Sequence, residues 1–194
     1  MSIIDTIKAK AKADVKHIVL PEGSEERTVQ AARLITDQGI AKVTLIGKNE
    51  DIKAAAARFN VNVDDIAMID PAASELYPGY CEKFAEMRAK KGVTLGQAQK
   101  TMLDPLFFAA MMVYDDKADG FVSGAINTTG NTLRPGLQII KTAKGVSTVS
   151  SCFIMIADRE NKYNPDGVAV FADCAINIEP DAQQLADIAI STAE

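Results

Sequence analysis

The sequence predicts an α/β fold in three αβα layers around a mainly parallel sheet. Two observations carry that expectation. Short apolar runs alternate with segments of helical period, and the connections between them are short and rich in Pro, Gly and Ser. A third concerns composition: 194 residues, 47% hydrophobic and 24% charged, supply enough apolar surface for a buried core and exclude intrinsic disorder.

Ser2 and Asp5 have the spacing of a capping box, and Ile3, Ile4, Ile7 and Ala11 then form one stripe, which predicts a short N-terminal helix. Residues 18–20 read as a buried strand ended by Pro21 and Gly23. Ser24 is the expected cap of a helix reaching residue 37, with Val29, Ala32 and Leu34 facing inward and Gly39 as its stop. A strand over 43–46, a helix over 50–59 and a strand over 66–69 follow. The middle is helical: 74–91 as one long helix, 94–102 as a second, and a third opened by Asp104-Pro105 and reaching about residue 117. Residues 119–124 predict a strand and 132–141 a helix.

Past Gly145 the pattern changes. The apolar runs 149–156 and 168–175 predict a hairpin whose long turn includes Asn164-Pro165-Asp166-Gly167. We place a domain boundary near Lys144, dividing 1–144 from 145–194. The second part holds two strands and one helix, too little for a core of its own. That helix opens at Glu179-Pro180-Asp181, repeats through Leu185, Ile188 and Ala189, and reaches Glu194 without a Gly, Asn or basic residue to close it. We read a cut element rather than a natural terminal helix. No internal repeat and no low-complexity tract is evident.

Lys+Arg 21 against Asp+Glu 26 gives a net charge of −5, without the basic field that nucleic-acid or anionic-membrane binding exploits. The longest apolar run, 106–114, lies between Asp104 and Asp115, far below the roughly 20 residues that cross a bilayer. The N-terminus lacks a signal-peptide core. Cys81, Cys152 and Cys174 form no CxxC pair and His17 is the single histidine, so no metal site is expected. The cysteines read as buried reduced thiols of a cytoplasmic protein.

The strongest local signal is the segment from Asp119 to Pro135. A strand enters a loop of small and hydroxylated residues that enters a helix N-terminus. Gly124 and Gly130 let a ligand approach the backbone, while Ser123, Asn127, Thr128, Thr129 and Asn131 offer hydrogen bonds. Arg134 is expected in the first helical turn, leaning back toward the same spot. Nothing acidic lies between Ser123 and Arg134, which suits a phosphate or another small oxyanion. The alternative is a Ser/Thr-rich connection with ordinary capping. The segment is neither a Walker loop nor GxGxxG. The segment from Leu20 to Arg27 reads as a capped turn whose carboxylates complement the helix dipole. Arg88, among Lys83, Glu86 and Lys90, reads as part of a solvated face, and Phe107-Phe108 and Met111-Met112 as core. Asp158, Asn161, Asn164 and Asp166 superficially suggest calcium but miss the EF-hand spacing, and read as a solvated turn.

Ser123-Gly124-Ala125 and Asn127 through Thr142 closely resemble the signature of phosphate acetyltransferases (phosphotransacetylases). Leu20-Pro21-Glu22, and Phe171-Ala172-Asp173-Cys174-Ala175 followed by Pro180, resemble that family too, in its order across all 194 residues. The resemblance implies reversible transfer of an acetyl group between coenzyme A and inorganic phosphate in acetate metabolism. It implies a direct ternary-complex transfer without a metal and with no tightly bound cofactor, coenzyme A being a substrate. It also implies two α/β domains with a cleft between them and a homodimer, with neither nucleic acid nor membrane as partner. Family chains are longer, so this one is expected to be an N-terminal piece, inactive alone. The catalytic Ser-Arg pair and the thiol's base are expected beyond Glu194. Ser123, Thr128, Thr129 and Arg134 match the phosphate side, and Arg134 and Arg88 align with two substrate-binding arginines. With Gly124 and Asn127 these form the expected substrate-binding set. The rivals are a phosphate butyryltransferase-like enzyme and a non-catalytic module that holds phosphate or coenzyme A.

Overall fold

Four short parallel strands frame the larger part of the chain: β1 (Lys16–Leu20), β2 (Ala41–Ile46), β3 (Ala67–Ile69) and β4 (Gly120–Phe121), in the order β3-β2-β1-β4. The computed structural model describes residues 2–157 and 167–193. It divides into two units, Met1–Lys141 and Thr142–Glu194. Asp158, Asn161, Asn164 and Asp166, together with Pro165 of the expected hairpin turn, lie outside the described residues.

Alternation along the strands sends neighbouring side chains to opposite faces. Leu20, Val43 and Leu45 pack with Val29 and Ala32 of α2 (Glu26–Gln38) and with Ile52, Ala55 and Ala56 of α3 (Asn49–Arg58). Val19 and Ile46 instead join Tyr80 and Phe84 of α4 (Tyr77–Arg88), Ala98 and Met102 of α5 (Leu95–Met102), and Phe107 to Met112 of α6 (Pro105–Tyr114). Helices therefore cover both faces, and the unit is the three-layer αβα arrangement. α6 is apolar all round because it is buried all round. Tyr80 against Phe108 and Phe84 against Phe107, with ring centroids 5.2 and 5.8 Å apart, tie it to α4.

Helix ends follow local chemistry, sometimes one residue away from expectation. Ser2 and Asp5 form the capping box of α1 (Ile3–Ala13), although no residue of α1 is buried. The cap of α2 is Glu25, not Ser24: its carboxylate accepts the Thr28 N–H, a stronger charge-assisted bond than a hydroxyl offers. Leu34 faces solvent at 58% exposure, since α2 buries only the Val29–Ala32 side. The long helix expected over 74–91 is shorter, with α4 beginning at Tyr77 and a tight turn Ala89–Lys91 leading to Gly92 in the left-handed conformation.

The region 119–141 departs most. β4 is two residues long, not six. α7 begins at Thr129 with Thr128 as its cap, three residues before the expected start. At Pro135, which lacks the N–H a helix needs, it gives way to a widened π-type turn, Gly136–Ile140.

In the second unit β5 (Cys152–Ile156) pairs antiparallel with β6 (Val168–Ala172), and α8 (Ala182–Ala193) packs on β6. Phe153, Ile154, Met155 and Ile156 are each at least half exposed, so both faces of β5 lack a cover among the described residues. Ile188 is buried but Leu185 is not. All three cysteines are free. Cys81 is buried as expected, whereas Cys152 is exposed on β5 and Cys174 half-buried.

Candidate functional site

The loop between β4 and α7 is held by a carboxylate from another loop. Parallel pairing of β1 with β4 sets their C-terminal ends side by side, and the Val122 N–H extends the ladder to the Val19 carbonyl. One turn beyond β1, Glu22 is buried and directs both carboxylate oxygens into the 124–127 backbone. Oε2 accepts the N–H groups of Gly124 (2.9 Å) and Ala125 (2.8 Å). Oε1 accepts those of Ile126 (3.0 Å) and Asn127 (2.8 Å), and the Asn127 side-chain amide at 2.8 Å. Successive N–H groups converging in this way form an anion-binding nest. Here the protein's own Glu22 fills it. The Arg27 guanidinium holds the other side of the same loop, donating to the Ala125 carbonyl at 2.5 Å and to Glu25 at 2.7 Å.

Burial alone would push the Glu22 carboxyl up. The N–H groups of Ile126 and Ala125 and the two donors of Asn127 outweigh it and bring the pKa from 4.5 to about 2. A carboxyl lowered on folding contributes stability that is complete above its unfolded pKa and is lost as pH falls through the folded one. Wild-type protein should therefore lose on the order of 3 kcal/mol between about pH 5 and pH 2 from this group. Denaturant unfolding across that range should show the loss in wild type and not in Glu22→Gln. Parallel pH profiles of the two would refute the assignment.

The expected anion cradle is thus narrower than the sequence implied. The backbone N–H of Gly124 and both donors of Asn127 serve Glu22 and are not free for a phosphate. What stays free is telling. The Ser123 and Thr132 hydroxyl oxygens and the Arg88 Nε are buried and have no hydrogen-bond partner among the described residues. A buried polar group without a partner costs stability; the Tyr80 hydroxyl and the Arg33 Nε share this state elsewhere in the unit, so only the Ser123 and Thr132 oxygens, on the loop and on α7, bear on this site. Thr128 accepts the Asn131 N–H and keeps its own O–H to donate, and Thr129 opens α7. Arg134 lies in the second turn of α7, not the first, because the helix starts at Thr129.

Arg134 is exposed and lines a cavity of about 600 Å³ with Lys91, Gln97, Lys100, Thr101 and Gln138. Asp104, also on the lining, is engaged as the cap of α6 through the Leu106 N–H. Three cations against one committed carboxylate make this an anion-favouring hollow. Arg88 reaches the buried side of α4 rather than a fully solvated face.

The second unit repeats the carboxylate device. Asp173 accepts the N–H groups of Ala175 (3.0 Å), Ile176 (3.2 Å) and Asn177 (2.7 Å), and the Asn177 amide at 2.6 Å. Ser151 donates its hydroxyl to the same carboxylate at 2.5 Å, and this bond, with those from Ala175 and Asn177, holds Asp173 well below the usual carboxylate range. Ala-Ile-Asn occurs in both loops, at 125–127 and 175–177. That recurrence, beside the Leu20-Pro21-Glu22 and Phe171 to Ala175 blocks, was a signal in the sequence that could have pointed to Glu22 and Asp173. Among the described residues no three His, Cys, Asp or Glu side chains cluster closely enough to hold a metal, and no helix is long and apolar enough to cross a membrane.

The family model described as phosphate acetyl/butaryl transferase matches residues 2–194. A phosphate acetyltransferase of Clostridium acetobutylicum is 45% identical over 194 residues, and one of Thermoanaerobacterium thermosaccharolyticum is 46% identical over 193. Each match takes in 100% of this chain, which spans 58% of either relative's length. Among solved structures, a phosphotransacetylase from Streptococcus pyogenes superposes with a TM-score of 0.88 at 37% identity, over 98% of this chain and 57% of that one. The EutD phosphotransacetylase from Staphylococcus aureus gives 0.84 at 39% identity, over 95% and 53%.

Proposed function

Because the chain belongs to the phosphate acetyl/butaryl transferase family, we propose that the complete protein moves an acetyl group reversibly between coenzyme A and inorganic phosphate. The observation that carries this reading is the cationic hollow that Arg134, Lys91 and Lys100 line; the unpartnered Ser123 hydroxyl on the loop and the unpartnered Thr132 hydroxyl on α7, the helix that carries Arg134, support it. Such donors suit a phosphate-bearing substrate that arrives and leaves.

In the direct transfer, the coenzyme A sulfur attacks the carbonyl carbon of acetyl phosphate. The carbon–oxygen bond to phosphate breaks, the thioester forms, and phosphate departs with its charge held by Arg134 and the Ser123, Thr128 and Thr129 hydroxyls. The thiol proton passes to a base, for which no side chain of residues 1–194 is assigned. Gly124 and Asn127 serve by holding the loop through Glu22. Arg88 and Arg134 bind substrate anions. Coenzyme A enters as substrate, not as a resident cofactor.

The proposal extends to a cytoplasmic homodimer acting in acetate metabolism. Free cysteines suit a reducing compartment, and the uncovered apolar faces of β5 suit burial in a larger assembly. Residues 1–144 would belong to one α/β domain and 145–194 to the start of a second, which the division at 141/142 supports.

The test is an assay of acetyl-CoA formation from acetyl phosphate and coenzyme A, with butyryl phosphate in parallel. The complete gene product should turn over acetyl phosphate faster, and residues 1–194 alone should form no acetyl-CoA. Faster turnover of butyryl phosphate would transfer the assignment to the longer acyl group. Phosphate or coenzyme A binding without turnover by the complete product would reduce it to a binding module.

A further inference from the structure

We infer that Glu22 is the positioning residue of the phosphate-binding loop, an internal anion that fills the loop's 124–127 nest and leaves the substrate anion to the donors on either side of it. This rests on the proposed function above. Four consecutive N–H groups, Gly124 to Asn127, would by themselves attract a phosphate. Glu22 takes all four and the Asn127 amide besides. Its chain neighbour explains why it stays there. The Gly23 N–H bonds the Ile46 carbonyl at 3.1 Å, which pins the turn after β1 against the end of β2. The carboxylate thus reaches 102 to 105 residues along the chain from a rigid base.

With its backbone fixed, the loop's two flanks are fixed. Ser123 precedes the nest with its hydroxyl buried and unpartnered, and Thr128 follows as the cap of α7, the helix that carries Thr132 and Arg134. Glu22 therefore sets the spacing between Ser123 and the α7 donors without touching the substrate. The second unit shows a related but local arrangement, in which Asp173 accepts the N–H groups of 175–177, two to four residues along its own loop, and the Asn177 amide. Captured loops of this kind are preorganised, so a substrate need not order them on binding.

Glu22→Gln tests the idea in the complete protein. It keeps the side chain's shape but turns an amide NH2 toward two of the nest's N–H groups. Amide hydrogen exchange at 124–127 should quicken by about tenfold or more. KM for acetyl phosphate should rise about tenfold or more, with KM for coenzyme A within about twofold of wild type. Glu22→Asp keeps the charge and reaches fewer donors. It should fall between wild type and Glu22→Gln in both readouts, and it carries the test if Glu22→Gln does not fold. Faster exchange with both KM values unchanged would show a purely structural clamp and overturn the inference, as would unchanged exchange. If wild type forms no acetyl-CoA, the functional reading fails separately. Inorganic phosphate titrated by calorimetry then decides: weaker binding to Glu22→Gln supports positioning, and equal binding overturns it.

Discussion

Arg134→Ala in the complete protein should lower kcat/KM for the phosphate-bearing substrate by about 2–4 kcal/mol, roughly 30- to 1000-fold, with a raised KM. The size follows from losing a charged donor whose proposed partner is the substrate and not another side chain. Arg134 is exposed and makes no ion pair among the described residues. The same fact predicts an unfolding free energy within about 0.5 kcal/mol of wild type. Arg134→Lys keeps the charge but loses the planar fork, and should fall between the two. Steady-state kinetics with acetyl phosphate varied at saturating coenzyme A measures all three. Values for Arg134→Ala within about threefold of wild type would remove the residue from the site.

Gly23→Ala should destabilise the protein by about 2–4 kcal/mol. A Cβ at this position would stand 2.6 Å from the Ile46 carbonyl oxygen and 3.2 Å from the Ile46 carbonyl carbon and nitrogen. These are backbone atoms of a central strand, paired on both sides by β1 and β3, and cannot yield as a flexible side chain would. The turn after β1 must withdraw instead, drawing Glu22 off its five donors. Gly130→Ala is the control, because a Cβ there meets nothing within 4 Å. Denaturant unfolding of both variants separates close packing from the general effect of replacing glycine. A Gly23→Ala midpoint equal to that of Gly130→Ala would show that the turn can move.

The strands and most helices were legible because their signals are local. The apolar runs of β1 and β2, the capping box of Ser2 and Asp5, and Asp104-Pro105 before α6 each act within a few residues. The start of α7 was not legible, since Thr128, Thr129 and Thr132 are all competent caps and only the anchoring of 124–127 selects Thr128. Arg134 moved into the second turn as a result. Ser24 lost the cap of α2 to its neighbour Glu25 by the margin between a hydroxyl and a carboxylate.

Periodicity and short motifs are written in neighbouring residues, and they were enough to specify the layered α/β architecture, the parallel sheet and the family. What fills the Gly-Ala-Ile-Asn nest depended on how the chain folds. Read locally, Glu22 was one more acid at a helix start and the 123–134 loop an acid-free anion cradle. Folding sets the ends of β1 and β4 side by side and delivers that acid into that cradle, across 102 residues. Hydrogen bonds to a buried carboxylate depend on which strands pair, and strand pairing is a property of the whole sheet.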